Sequence, residues 1–351
     1  MVTEKLDIRL RNPIPIKDSS LHVTKLKKLI TTIEEHPDHL LGLSNRHVVS
    51  ARQFTTESVL QLIRLAANYE SFPLFLSRPL AGKILITAFY EPSTRTRLSF
   101  ESAWQQLGGD IMSITDPATT GMAKGESLED IAEMFNNYCD VVVLRDTHED
   151  SVYRMINSLI VPIVNAGNGI DEHPTQALAD MYAIFRWRPI LTRLNLPEEQ
   201  KIKVGIIGNP SQMRTVRSLL LFFSLFSYMV KEIVIINPDN DIFSEGQREE
   251  LESSGLYITK TGSITERLRE LDVIYINSIA WIGDTYERLT SDLKLSKDSP
   301  LKPDSIILHP LARGKELDVS LDKTPHNWYF IQARGALFLR MALLNSLLKT
   351  P

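Results

Sequence analysis

The stretch with the clearest capacity for chemistry reads Glu91-Pro92-Ser93-Thr94-Arg95-Thr96-Arg97-Leu98-Ser99-Phe100. It follows Ile84 to Phe89, an apolar run that reads as a short buried strand, and opens with a tight turn at Glu91-Pro92. Ser93, Thr94 and Thr96 are the small hydroxylic residues that favour a helix start. Leu98, Phe100, Ala103 and Trp104 then continue as an apolar helix face. A helix N-terminus offers unpaired N–H groups and a partial positive charge, so phosphate is its natural guest. Arg95 and Arg97 add cations at that point. Residue types alone leave two readings open, a phosphate-binding turn or a capped surface helix with two solvated arginines.

Holding such a turn requires a sheet, and the flanking sequence supplies one. Strand-like runs at 47–50, 84–89, 111–114, 141–144 and 162–165 alternate with helical patterns at 55–69, 127–138, 152–159 and 173–187. Pro174 suits the first position of the last of these helices. After a break at Arg188-Pro189, strands at 204–207, 233–236, 257–259, 273–276 and 306–308 alternate with helices at 214–226, 244–253 and 265–271. The alternation predicts an α/β protein of two doubly wound parallel-sheet domains with an interdomain active-site cleft. The expected division is an extension at 1–45, a first domain at 46–188, a second at 189–334 and a closing apolar helix within 335–351. In the extension, Leu26, Leu29, Ile30 and Ile33 share one helical face, with Ser19 or Ser20 as the cap, so a helix packed on its own chain is expected.

A length of 351 residues suits about two domains. The net charge of -4 argues against a general nucleic-acid binder. A single cysteine, Cys139, excludes a disulfide framework and a multi-cysteine zinc site, and at the end of an apolar helix it reads as an inert buried thiol. Glu4, Asp7, Arg9 and Arg11 break up the region where a secretory signal would need an apolar run. Leu219 to Val230 is too short to span a bilayer comfortably, so no membrane role is expected and the cytoplasm is the expected location. Gly205-Ile-Ile-Gly-Asn-Pro lacks the third glycine of a dinucleotide fingerprint, which argues against a nucleotide-dependent oxidoreductase.

The segment 91–100 resembles the carbamoyl-phosphate signature of the aspartate and ornithine carbamoyltransferases, the aspartate branch in particular. His173-Pro-Thr-Gln176, Arg214-Thr-Val-Arg-Ser218 and His309-Pro-Leu-Ala-Arg313 resemble further family blocks in the same order, and the likeness covers roughly residues 46 to 349. It implies that Ser93, Thr94, Arg95 and Thr96 hold phosphate, and that Arg145 reaches phosphate and carbonyl. His173 and Gln176 would bind the carbonyl and amide end, and the Leu311 backbone would contact the amide. Lys124, with Thr120 where a serine is usual, would enter a neighbouring subunit's site, which implies a homotrimer with shared sites. Ala123 replaces a second lysine of some relatives. The implied catalytic set is Arg95, Thr96, Arg145, His173 and Lys124, with no metal and no cofactor. An uncharged amine attacks the carbonyl, phosphate leaves, and the departing phosphate takes the amine proton. Orientation and preorganised charge would then supply the catalysis.

The acceptor side departs from the pattern. Arg214 matches the arginine that grips an acceptor carboxylate, and Arg217 replaces a histidine. Glu91 is expected to bridge to Arg214 and Arg288 across the cleft. The aspartate branch follows the strand ending at Ile276 with an arginine and a glutamine for the second carboxylate, but here those places read Ser278 and Ala280. A serine cannot supply a bidentate cationic fork. An amino acid or amine with one carboxylate on Arg214 therefore fits better than aspartate. The alternatives are an aspartate enzyme with a rebuilt loop and a non-catalytic relative that binds carbamoyl phosphate.

Overall fold

The computed structural model describes residues 20–72, 78–277 and 294–348, and its strands form two parallel sheets. The first contains β1 (Ile84–Phe89), β2 (Asp110–Ile114), β3 (Val141–Asp146) and β4 (Ile163–Asn168) in the order β2-β1-β3-β4. The second contains β5 (Ile202–Ile207), β6 (Val230–Ile236), β7 (Ile258–Thr261), β8 (Val273–Ile276) and β9 (Ile306–Leu308) in the order β7-β6-β5-β8-β9. The expected pair of doubly wound parallel-sheet domains is present. Each order reverses once, between β1 and β3 and between β5 and β8. Ligands of open α/β sheets sit beyond the strand ends at such reversals.

The described helices are α1 (Ser20–Thr32), α2 (Thr56–Ser71), α3 (Thr94–Gln106), α4 (Leu128–Tyr138) and α5 (Ser151–Met155). They continue with α6 (Pro174–Trp187), α7 (Arg214–Leu225), α8 (Gln247–Ser253), α9 (Ile264–Arg267) and α10 (Tyr329–Leu347). Strands covered on both faces read as unbroken apolar runs. In β1, Leu85 and Phe89 join a core shared with α2, α6, α7 and α10, while Ile86 and Ala88 face Ile131 and Phe135 of α4. In β5, Val204 and Ile206 enter that same shared core, and Ile207 packs with Ile264 and Leu268 on the far face of the second sheet. Each fully buried Leu, Ile or Phe in this layer contributes about 1.5–3 kcal/mol, so the shared core ties the two lobes together. The helix α1 buries Leu26 and Leu29, and Ile33 just after it, against α2 and α6 and leaves Lys25, Lys27 and Lys28 exposed. Of its expected caps, Ser19 lies outside the described residues, and Ser20 is the helix's first residue.

Three local expectations need correction. The run at 47–50 makes only a bridge, Val48 to Val164 of β4, because Ser50 and Gln53 form a capping box that turns the chain into a short helical turn. The helix expected over 152–159 stops at Met155, and beyond it Asn136 Oδ1 accepts the Ile160 N–H at 2.9 Å while its Nδ2 donates to the Ser158 carbonyl at 2.8 Å. The closing helix begins at Tyr329, ahead of the expected span 335–351, although Gln332, Arg334 and Gly335 interrupt its apolar pattern. Tertiary contacts explain this. Gln332 is buried and hydrogen-bonded, and a Cβ on Gly335 would lie 2.6 Å from the Tyr182 ring of α6. Close helix approach there outweighs the roughly 1 kcal/mol that a mid-helix glycine costs.

Candidate active site

The two sheet reversals face each other, and between them lies a cavity of about 750 Å³. The parallel register sets Phe89 of β1 beside Arg145 of β3. Beyond it, the N–H groups of Tyr90 and Glu91 both donate to the Arg145 carbonyl, at 2.9 and 3.3 Å, which brings Glu91 against the Arg145 side chain. The chain then enters α3, whose first turn lines the cavity with Ser93, Thr94, Arg95 and Thr96. Ser93 occupies the N-cap position but makes no capping hydrogen bond with its side chain, a correction to the expected capping role. The hydroxyl and the first N–H groups of the helix are thus left for a guest. Burial lowers the pKa of Arg95, which makes no hydrogen bond or ion pair among the described residues.

Glu91 joins the two lobes. Arg145 Nη2 donates to Glu91 Oε1, and Arg214, at the start of α7, grips the same carboxylate with Nη1 at 2.8 Å and Nη2 at 2.7 Å. Burial alone would raise the Glu91 pKa, yet the hydrogen bonds and charges of Arg214 and Arg145 outweigh it and hold the carboxyl below its usual range. Burial and the neighbouring Arg214 press Arg145 down to about 10, which leaves it protonated at neutral pH. Arg214 Nη1 also donates to the Gly169 carbonyl at 2.7 Å. Of five guanidinium donors, the Nε–H and one Nη2–H then lack an acceptor among the described residues, enough for one carboxylate. The crowding of two arginines depends on Gly167, which has φ +114° and whose added Cβ would lie 3.0 Å from Arg214 Nε and 3.3 Å from Arg145 Nη1.

His173 and Gln176 enter the cavity from the start of α6. The His173 backbone N–H donates to Ser218 Oγ of α7 at 2.9 Å, so the second lobe helps to set this residue. Complete burial, with Arg145, Arg214 and Arg340 nearby, drives its pKa well below the ordinary histidine value. The imidazole is neutral. Thr175 Oγ1 lies 3.4 Å from its Nδ1. Leu311 completes the wall from the other lobe, with φ 57°. Its N–H donates to His309 Nδ1 at 2.7 Å, and His309 Nε2 faces Glu316 at 2.9 Å, so the His309 proton is on Nε2.

This geometry agrees with kinship. Residues 46–186 match the aspartate/ornithine carbamoyltransferase carbamoyl-P binding domain, and residues 200–347 match the family's Asp/Orn binding domain. The chain belongs to the aspartate/ornithine carbamoyltransferase family. Among its relatives, the aspartate carbamoyltransferase catalytic subunit of Methanopyrus kandleri is 35% identical over 315 residues, spanning 88% of this chain and 98% of that protein. The corresponding subunit of Pyrobaculum islandicum is 36% identical over 310 residues, 87% of this chain and 98% of the relative. The Trypanosoma cruzi aspartate transcarbamoylase solved with aspartate and phosphate superposes with a TM-score of 0.80 at 30% identity, covering 88% of this chain and 98% of that one. The protein is accordingly a carbamoyltransferase.

Other family positions fall outside the cavity. Arg97 points along α3 to Glu101 at 3.1 Å, so of the two helix-start arginines only Arg95 lines the site. Lys124 is exposed on a short helical turn (Gly121–Lys124), and Thr120 caps that turn, its Oγ1 also donating to the Pro117 carbonyl at 2.7 Å. Neither lines this chain's own cavity. Arg217 turns to Ser244 at 2.9 Å and Asp171 at 3.4 Å, away from the acceptor wall. Ser278, Ala280 and Arg288 lie outside the described residues. Among the described residues, no helix is long and apolar enough to cross a membrane.

Sequence reasoning missed Gly167 and Asp180, and it gave no role to Ser218, although that residue stands in the 214–218 block, or to Gln332. Asp180 was reachable, since it stands one helical turn beyond Gln176 on the same helix. Cys139 closes α4, and burial pushes its thiol up to about 12. Reaction with a thiol reagent at pH 8 should therefore be at least about tenfold slower than for a free cysteine. A rate equal to the free amino acid's would contradict this burial.

Proposed function

We propose that the protein transfers the carbamoyl group of carbamoyl phosphate to the amino group of an amino acid held by one carboxylate at Arg214, and that this acceptor is not standard aspartate. The convergence of Arg95, Arg145, His173, Gln176 and Leu311 on one cavity carries the first half. In this reading, phosphate lies on the first turn of α3, where Ser93, Thr94, Arg95 and Thr96 meet the helix's positive end. The amine lone pair attacks the carbamoyl carbon, and the carbonyl electrons move onto oxygen, where Arg145 and the His173 imidazole N–H receive them. The oxyanion pair then re-forms the carbonyl as the carbon–oxygen bond to phosphate breaks, and phosphate leaves with that bond's electron pair and takes the amine proton. Thr120 and Lys124 serve a neighbouring copy's site, and the working unit is a homotrimer.

The second half rests on charge. Arg214 is the only cation on the acceptor wall among the described residues, Arg217 is turned away, and positions 278 and 280 carry no charge. Aspartate remains the second reading, favoured by the relatives' names. Phosphate release, screened over aspartate, ornithine, diaminopropionate, putrescine and other amines, separates the two. A mono-carboxylate acceptor should exceed aspartate in kcat/KM, and the reverse ranking would refute the first reading. Ser278→Arg should raise kcat/KM for aspartate about 10- to 100-fold, the worth of a charged hydrogen-bonded pair. An unchanged value would show that the missing cation does not set selectivity.

A further inference from the structure

Behind the carbamoyl end of the cavity sits a carboxylate that no step of this reaction touches. Asp180, on α6, is fully buried. Its Oδ1 accepts from Gln176 Nε2 at 2.8 Å and from Gln332 Nε2 of α10 at 2.5 Å. Gln332 extends the chain, because its Oε1 accepts the His309 backbone N–H at 2.9 Å, and His309 Nδ1 in turn accepts the Leu311 N–H at 2.7 Å. One carboxylate thus ties Gln176 of the first lobe to Leu311 of the second. These are the two residues assigned to the amide end of the substrate.

The chemistry of the chain has a direction. A carboxylate only accepts hydrogen bonds, so it draws the NH2 ends of both glutamine amides toward itself. The Gln176 Oε1 is left as that residue's free end, and it takes no protein donor among the described residues. Burial lifts the Asp180 carboxyl to about 7 against the hydrogen bonds of Gln176 and Gln332 and the charge of Arg340, and in either protonation state Oδ1 remains an acceptor for both amides. A pure acceptor aimed at the cavity suits an NH2 group and offers nothing to a methyl.

We propose that Asp180 is a positioning residue that makes the site selective for a carbamoyl group over other acyl phosphates. It fixes Gln176 as an acceptor and, through Gln332 and His309, holds Leu311 in register with it. The inference rests on the reading that this cavity binds carbamoyl phosphate. Calorimetry at pH 8 with carbamoyl phosphate, acetyl phosphate and inorganic phosphate tests both together. Wild-type protein should prefer carbamoyl over acetyl phosphate. Asp180→Leu should narrow that ratio of dissociation constants about tenfold, roughly one hydrogen bond, with inorganic phosphate unaffected. Asp180→Asn, which keeps an acceptor oxygen, should retain the preference. An unchanged ratio in Asp180→Leu, or parallel weakening of all three ligands, overturns the positioning role. Should Asp180→Leu not fold, Gln332→Met removes only the second arm and should narrow the ratio about threefold, and an unchanged ratio there is equally fatal. A wild-type protein that binds no carbamoyl phosphate would overturn the cavity reading itself.

Discussion

Alanine in place of Arg95 should lower kcat/KM about a thousandfold or more with every amine offered. Arg95 is the one cation at the start of α3 that faces the cavity, and it makes no hydrogen bond or ion pair among the described residues. Its donors are therefore unspent in the protein and available to a phosphate whose charge grows as it departs. A preorganised donor aimed at developing charge is worth about 10²–10³ in rate, and a multi-donor guanidinium exceeds that. Arg97 provides the internal control. It is two residues away in the same motif but paired with Glu101, so Arg97→Ala should change the rate by less than about threefold, the scale of a weak ion pair. Phosphate release measures both variants. A near-normal rate for Arg95→Ala would remove the phosphate site from the first turn of α3.

His173→Ala should lower kcat about 10²–10³-fold while weakening carbamoyl phosphate binding much less, because its hydrogen bond strengthens only as the carbonyl oxygen becomes an oxyanion. His173→Gln keeps a donor and should recover part of the loss. The pH profile adds a sharper check. The folded-state pKa of His173 is depressed, so its charged form appears only well below the ordinary 6.5, and the neutral donor persists across pH 6 to 8. No inflection from this residue should therefore appear in kcat over that range. A midpoint near 6.5 that disappears in His173→Gln would mean that a charged imidazole is the working form, contrary to its burial among arginines.

Much of this is legible in the amino-acid sequence. Runs such as 84–89 and 141–144 are apolar without alternation because both faces of a parallel strand are covered, and that signature located the sheets. The turn at 91–96 was legible because phosphate recognition at a helix start uses local backbone and neighbouring side chains. Failures came where distant groups override local pattern. The helix Ser151–Met155 ends in turns that Asn136 ties down at Ser158 and Ile160, and contacts to Tyr182 and Asp180 extended the last helix back through Gly335 and Gln332. The inertness of the Cys139 thiol is legible from its place at the end of an apolar helix, and its partial burial gives the reason.

By itself the sequence determined the classes of chemistry available: which turn could hold an anion, which strands would be buried, and which acceptor arginine was kept while its partner at position 278 was absent. These follow from periodicity, caps and charge, all of which act over a few residues. Only the tertiary structure decided that Glu91 is shared by Arg145 and Arg214, that Arg97 and Arg217 turn away, and that Asp180 stands behind Gln176. Those outcomes depend on which side chains from separate crossovers meet in a buried, water-poor space. There a hydrogen-bond partner or a neighbouring charge shifts a pKa or aims an amide, and spacing along the chain carries no record of it.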